Sequence, residues 1–335
     1  MIPASTDTRH SSTWRRDLAE AIREPGELLR VLGLADTPLA TRIVEETAFN
    51  TLVPVSYLHR MRPRDPNDPL LLQVLARDLE SDRVEGYVTD PVGDLAAMTR
   101  PGLLQKYPGR ALLIATGACA VHCRYCFRRH FPYAEAGAPR TTWPDIAARL
   151  RKDPDLREVI LSGGDPLVMT DEQLEDLVEA LAEVPQLTRL RIHTRLPIVL
   201  PSRVDEGLLR LLRGLPWPCA LVVHANHAQE IDAEVGTAIS GLLASGVHVL
   251  NQSVLLKEIN DSVDALCDLS ETLFAAGVLP YYLHQLDPVE GAAHFAVSDQ
   301  RARELIGALR DRLPGYLVPR LVREAPGASA KVALA

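Results

Sequence analysis

Lysine is scarce in this 335-residue chain. It occurs only as Lys106, Lys152, Lys257 and Lys331, while arginine supplies the other 32 of the 36 cations. Chemistry that needs a lysine amine therefore has four candidates. Positive charge is also in deficit: the net charge is −8, which weighs against broad nucleic-acid binding, since that usually needs a basic face. No apolar run reaches the length of a membrane span. The opening MIPASTDTRHSSTWRRDLAEA lacks the apolar core of a signal peptide, so a cytoplasmic protein is expected. The five cysteines are odd in number and three of them cluster, which does not suit a disulfide framework. Cys219 and Cys267 stand alone in apolar or helical surroundings and read as buried bystanders.

The clustered three, Cys119, Cys123 and Cys126, are spaced C-x3-C-x2-C in GACAVHCRYCFRR. No fourth cysteine lies near, and a closed zinc site needs four ligands. Three thiolates suit a 4Fe–4S cluster whose fourth iron stays free for another ligand. The rival is a zinc knuckle completed by His122 or His130.

Residues 1–100 read as mostly helical, with apolar helical spacing from Trp14 to Leu32 and a stop at Gly33. From about residue 110 strands and helices alternate. Strands are expected at 110–116, 158–162, 190–194, 220–225, 247–255 and 279–285. Six such strands imply a parallel α/β sheet with right-handed crossovers, either open or curved into a partial barrel. Ligand sites in such sheets gather at the carboxyl ends of the strands. The cysteine loop, Ser162-Gly163-Gly164-Asp165-Pro166, Thr194-Arg195, His224 and Asp287 all fall there, and Asn251-Gln252 lies within the fifth strand.

The cysteine string resembles the signature of the radical S-adenosylmethionine superfamily. That resemblance implies a radical-SAM partial (β/α)6 TIM-like barrel. In it the three thiolates hold the cluster and S-adenosylmethionine chelates the fourth iron. Gly163, Gly164 and Asp165 match the string that helps bind the methionyl amine.

The resemblance narrows further. DPNDPLLLQVL, PGLLQKYPGRALL, CRYCFRR, LSGGDPL, TRLPIVLPSR, NQSVLLK and YYLHQLDPVEGAAHF are similar to lysine 2,3-aminomutases, from about Trp14 to Lys331. The likeness is greatest to the shorter branch of that family, which serves β-lysylation of elongation factor P. It implies three parts: an N-terminal helical extension over 1–104, a radical core over 105–315, and a C-terminal segment over 316–335 that carries the pyridoxal phosphate lysine. Lys331 matches that lysine. By its position alone it would read as a frayed, solvated tail. Tyr107 and Arg110 match residues near the cofactor phosphate, and Lys106 sits where the family often has a cation there. His224 and Gln252, with Asn251, match groups on the S-adenosylmethionine side, or are simply satisfied strand-end polars.

Arg128 matches the arginine that pairs with the substrate carboxylate, a partner suited to a planar charged fork. Asp287 and Glu324 match the two carboxylates that hold the distal ammonium of lysine. The family usually has aspartate at the second position, so Glu324 is a departure. A stiffer Gly327-Ala328-Ser329-Ala330 and the short stretch after Lys331 are two more, and both favour the shorter branch. The implied reaction uses a deoxyadenosyl radical to remove hydrogen from an unactivated carbon, while imine formation with pyridoxal gives the migrating nitrogen a π bond. The expected partners are L-lysine, an external reductant and, functionally, a lysyl-transferase and elongation factor P, with no nucleic acid or membrane. The oligomeric state is not fixed by these residues, and a homo-oligomer is compatible with them. Two other readings are an aminomutase making free β-lysine for catabolism or osmolyte synthesis, and a non-catalytic iron–sulfur or zinc-binding module.

Overall fold

The structure, a computed structural model, describes residues 13–45 and 49–335. The segment read for a signal peptide therefore lies partly outside the described residues. Ten strands form one sheet in sequence order. They are β1 (Met98–Arg100), β2 (Leu103–Leu104), β3 (Arg110–Thr116), β4 (Glu158–Gly163), β5 (Arg189–Thr194), β6 (Cys219–Val223), β7 (His248–Leu255), β8 (Leu279–Gln285), β9 (Arg320–Arg323) and β10 (Val332–Ala333). Neighbours from β3 to β9 are parallel, and antiparallel pairs finish both edges. β1 and β10 do not pair with each other, so the sheet is an arc and not a closed barrel.

The six expected strands coincide with β3–β8 to within two residues. Their crossovers carry the helices Trp143–Leu150, Asp171–Ala182, Glu206–Arg213, Ala233–Ala244 and Val263–Ala275, and the helix Asp299–Arg312 leads from β8 towards β9. Local chemistry starts these helices where the chain needs them. Thr170, Asp205, Asp232, Ser262 and Ser298 each accept a backbone N–H at the N-terminus. The apolar faces of these helices close over the outside of the sheet in a core that includes Leu174, Leu177, Ile239 and Leu273.

The expected helix from Trp14 to Leu32 is divided. It runs as Thr13–Ala19 and Pro25–Val31, with Ile22 between them bridged to Val53. Proline has no N–H to give and its ring clashes with the preceding turn, so Pro25 starts a new helix and cannot continue the first. Gly33 ends the second with φ +68°, as its position suggests. The rest of the N-terminal extension is not mostly helical as expected: irregular chain and turns dominate its described residues, broken by short helical turns such as Pro69–Leu72, whose N-cap Asp68 accepts from Leu70 and Leu71.

The C-terminal segment is not a frayed tail. β9 adds to β8, and β10 folds back to pair Val332 with Arg323 and Ala333 with Val322. Lys331 is thereby fixed one residue before a hydrogen-bonded strand.

Gly163 and Gly164 close the seam between β3 and β4. A Cβ on Gly163 would lie 2.5 Å from Thr116 O, and one on Gly164 would lie 2.2 Å from Ala118 O. Gly163 also takes φ +122°, which other residues avoid. Their smallness lets β4 pass against the backbone of the cysteine loop. Gly164→Ala should destabilise the protein by about 1–3 kcal/mol, the usual range for overpacking. Gly236→Ala is the control: it lies in a helix with nothing within 4 Å of its added Cβ and should stabilise slightly. Thermal unfolding of the two variants side by side checks this, and an unshifted Gly164→Ala melting curve would contradict the packing account.

Candidate active site

A cavity of about 700 Å³ occupies the concave side of the arc. Inward positions on the strands recur every second residue: Ile160 and Ser162, Arg191 and His193, Tyr282 and His284. All of these except Ile160 are polar, where the interior of a closed barrel is filled by branched apolar side chains. Fifteen residues that the family resemblance points to line this cavity: Cys119, Cys123, Cys126, Lys106, Tyr107, Arg110, Arg128, Gly163, Gly164, Asp165, His224, Gln252, Asp287, Glu324 and Lys331, whereas Asn251 does not. The site also reaches deeper than expected. Besides the carboxyl ends of the strands it includes Arg110 and Arg320, the first residues of β3 and β9.

The cysteine loop leaves β3 and is held from two sides. Outside it, half-buried Glu80 accepts from Arg124 Nη2 and Arg129 Nη2, each at 2.5 Å, and from Arg124 Nε at 2.7 Å. Burial opposes ionisation of Glu80, but the two arginines outweigh it and hold its carboxyl below the usual range. Arg129, left without a role by the sequence, is part of this clamp. Inside, Arg195 donates to Glu230 at 2.9 Å, Gln73 at 2.7 Å, Tyr125 OH at 2.7 Å and Cys123 Sγ at 2.7 Å. Tyr125, which precedes the third cysteine, also accepts from Asn226 at 2.7 Å.

The donor set fits a cluster. Burial pushes the Cys126 thiol up to about 11 and raises Cys119 well above its ordinary value, so ionisation at these positions needs a strong positive partner such as iron. Among the described residues no three His, Cys, Asp or Glu side chains converge as a single metal ion requires. His122 Nδ1 instead meets Asn50 O at 2.7 Å and His130 Nε2 meets Glu290 O at 3.1 Å, so the zinc alternative is not assembled. A cubane spreads its thiolates over separate irons and does not ask for that convergence.

Asp165 departs from its expected role. Its carboxylate already accepts from Thr194 Oγ1 at 2.7 Å and from the N–H groups of Leu167, Arg195 and Leu196 at 3.1, 2.6 and 3.2 Å. Burial lifts its pKa to about 6 against these bonds. The side chain ties the end of β4 to the end of β5 and is not a spare acceptor for an ammonium. Asn251 is likewise satisfied by Ala225 and Ser253, whereas Gln252 Nε2 and His224 Nε2 meet at 2.7 Å within the cavity wall. Burial keeps His224 neutral, with a pKa pushed down to about 3.

At the other end Lys331 Nζ donates to Glu324 Oε2 at 2.7 Å and lies 5.8 Å from the Tyr282 ring centroid. Tyr107 OH donates to the other oxygen of Glu324 at 2.5 Å. Burial alone would raise Glu324, but Lys331 and Tyr107 bring its pKa below the usual value. The two remaining lysines, Lys152 and Lys257, are exposed and away from the cavity. Asp287 is different: burial pushes it up to about 7, with Lys331 opposing and Glu324 adding to the rise. Asp287 Oδ1, His193 Nε2 and His284 Nε2 are buried without hydrogen-bond partners. Unpaired polar atoms of this kind are costly unless a ligand meets them. Arg110 stacks over Tyr107 at 5.3 Å.

Several lining residues were not singled out from the sequence. Arg191, Tyr282, His193 and His284 could have been found by following the period-two pattern inward along each expected strand, whereas Arg320 lies on β9, which was not among them. Asp94, which binds Arg128 and Lys106, has no such signal.

Residues 108–191 match a family model described as a 4Fe-4S single cluster domain. The chain is 45% identical over 335 residues to L-lysine 2,3-aminomutase of Escherichia coli (strain K12), covering 100% of this chain and 97% of that one. It is 42% identical over 327 residues to L-lysine 2,3-aminomutase of Haemophilus influenzae, covering 98% and 97%. The crystal structure of Streptococcus suis SuiB bound to S-adenosylmethionine superposes with a TM-score of 0.49 at 16% identity, over 69% of this chain and 54% of that one. Among the described residues no helix is long and apolar enough to cross a membrane. Identity of this extent along the whole chain makes the protein a member of the lysine 2,3-aminomutase family, and thus an isomerase and not a non-catalytic metal module.

Proposed function

We propose that the protein isomerises L-lysine to β-lysine, using S-adenosylmethionine on a 4Fe–4S cluster together with pyridoxal phosphate, and that the product serves β-lysylation of elongation factor P. One observation carries the reading: a single cavity holds three cysteines, a buried arginine, two carboxylates and a fixed lysine. When bound, the cluster with S-adenosylmethionine supplies a carbon-centred oxidant, and pyridoxal phosphate supplies the π system through which nitrogen can migrate.

The chain's own residues then divide the remaining tasks. Cys119, Cys123 and Cys126 would hold iron. Lys331 would hold the pyridoxal carbonyl carbon, and Tyr107, Arg110 and Lys106 would serve its phosphate. Arg128 takes the substrate carboxylate, and Asp287 with Glu324 takes the distal ammonium. His224 and Gln252 line the S-adenosylmethionine side. Asn50, Val92 and Asp94 from the N-terminal part help line the cavity beside the strands and would limit water at the reacting carbons. The link to elongation factor P rests on the likeness to the shorter family branch.

Anaerobic protein reconstituted with iron, sulfide and pyridoxal phosphate should form β-lysine from L-lysine in the presence of dithionite and S-adenosylmethionine. No β-lysine under these conditions would reject the activity. A lysyl-transferase that loads this product onto elongation factor P would support the finer role, and its refusal of the product would reject it. Lys331→Ala should lose the pyridoxal absorbance near the visible–ultraviolet border after desalting while keeping the iron chromophore.

The pH dependence is set by Asp287. Below about 7 its carboxyl is largely protonated, and above that it is an anion able to hold an ammonium. Ammonium binding favours the ionised form, so L-lysine affinity should rise as pH increases from 6 to 8. In Asp287→Asn that rise should flatten and overall affinity should drop. Titration of the holoenzyme at several pH values checks the sign.

A further inference from the structure

Arg128 is not free to swing. Its Nε donates to Asp94 Oδ2 at 2.6 Å and its Nη1 to Ser162 Oγ at 3.0 Å. The guanidinium lies 4.8 Å from the Phe127 ring centroid and 6.0 Å from that of Phe131. The other oxygen of Asp94 meets Lys106 Nζ at 2.6 Å, and Lys106 also donates to Val92 O at 2.7 Å. Asp94 is itself 2% exposed. Burial would favour its neutral form, but Arg128 and Lys106 together hold it ionised. Its position in the chain is fixed by a turn in which Asp90 accepts from Asp94 N at 2.9 Å and Leu95 N at 3.0 Å.

One buried anion thus serves two buried or half-buried cations, and the trio keeps a net positive charge facing the cavity. A carboxylate on the Nε edge of a guanidinium leaves the Nη edge to meet a second carboxylate in a fixed plane. Without it, a long side chain among aromatic rings has several rotamers to choose from, and ordering it would weaken binding.

We propose that Asp94 is a positioning residue: it aims Arg128 at the carboxylate of the amino-acid substrate and couples that grip to Lys106 beside the cofactor. The inference rests on the reading of Arg128 given above and deepens it. It makes the α-carboxylate, and not the amine chain alone, a requirement for tight binding.

The test compares L-lysine with cadaverine, the same diamine without a carboxylate, as equilibrium ligands of the anaerobic holoenzyme. In Asp94→Asn the dissociation constant for L-lysine should rise about tenfold, the effect of loosening one charge-assisted bond. That for cadaverine should stay within about twofold, a change too small to count as a lost bond. Asp94→Glu should restore part of the preference for L-lysine. In an Arg128→Lys background the Asp94→Asn change should add little, because both act on one contact. KM for L-lysine should follow the binding constant, with a smaller change in kcat. Equal weakening of both ligands, or no weakening of L-lysine, overturns the proposal. If wild-type holoenzyme binds neither ligand, the functional reading itself fails and this inference fails with it.

Discussion

Two missing side chains set the geometry on which the rest depends. Gly163 and Gly164 bring the end of β4 into backbone contact with the loop that carries the cysteines, so the loop follows the sheet directly. Asp165 then pins the end of β5 to the same point, and β5 delivers Arg195 beneath Cys123. Arg195 reaches on to Gln73 and Glu230, while Glu80 grips the loop from outside through Arg124 and Arg129. The N-terminal extension is therefore part of the cysteine loop's support. Removing one partner of a buried ion pair commonly costs about 3–5 kcal/mol. These pairs make the loop a stiff platform.

The opposite end of the cavity has another character. Its charges form a linked series, Arg128 to Asp94 to Lys106, with Lys106 3.8 Å from Glu324 and Glu324 paired with Lys331. Asp287 stands beside them with one oxygen unpaired, and the buried histidines remain neutral. A zwitterionic amino acid with a second ammonium finds both signs of charge here at separated positions. Fixed charges in a pocket of low effective dielectric discriminate by position, because each contact there is stronger than in bulk water.

Much of this was legible in the chain. The β3–β8 strands announce themselves as short apolar runs, and the motifs at their ends mark the mouth of the site. The resemblance carried by CRYCFRR, LSGGDPL and YYLHQLDPVEGAAHF brought in Lys331 against its bland position. What could not be read is long-range. Asp94 meets Arg128 across 34 residues, and Glu80 meets Arg124 across 44. No local spacing encodes either pair. The division of the first helix was available in principle, since Pro25 stands in the middle of the apolar pattern. The structural use of Asp165 was not, because a carboxylate after two glycines suits a ligand and a strand-end clamp equally well.

The account stands on three thiolates leaving one iron of a cubane free. Electron paramagnetic resonance of the anaerobic, dithionite-reduced protein with and without S-adenosylmethionine tests this most directly, alongside iron and sulfide analysis. The account predicts about four irons and four sulfides per chain and a reduced-cluster signal that changes shape when S-adenosylmethionine binds. Zinc in place of iron, or a cluster signal indifferent to S-adenosylmethionine, would contradict it.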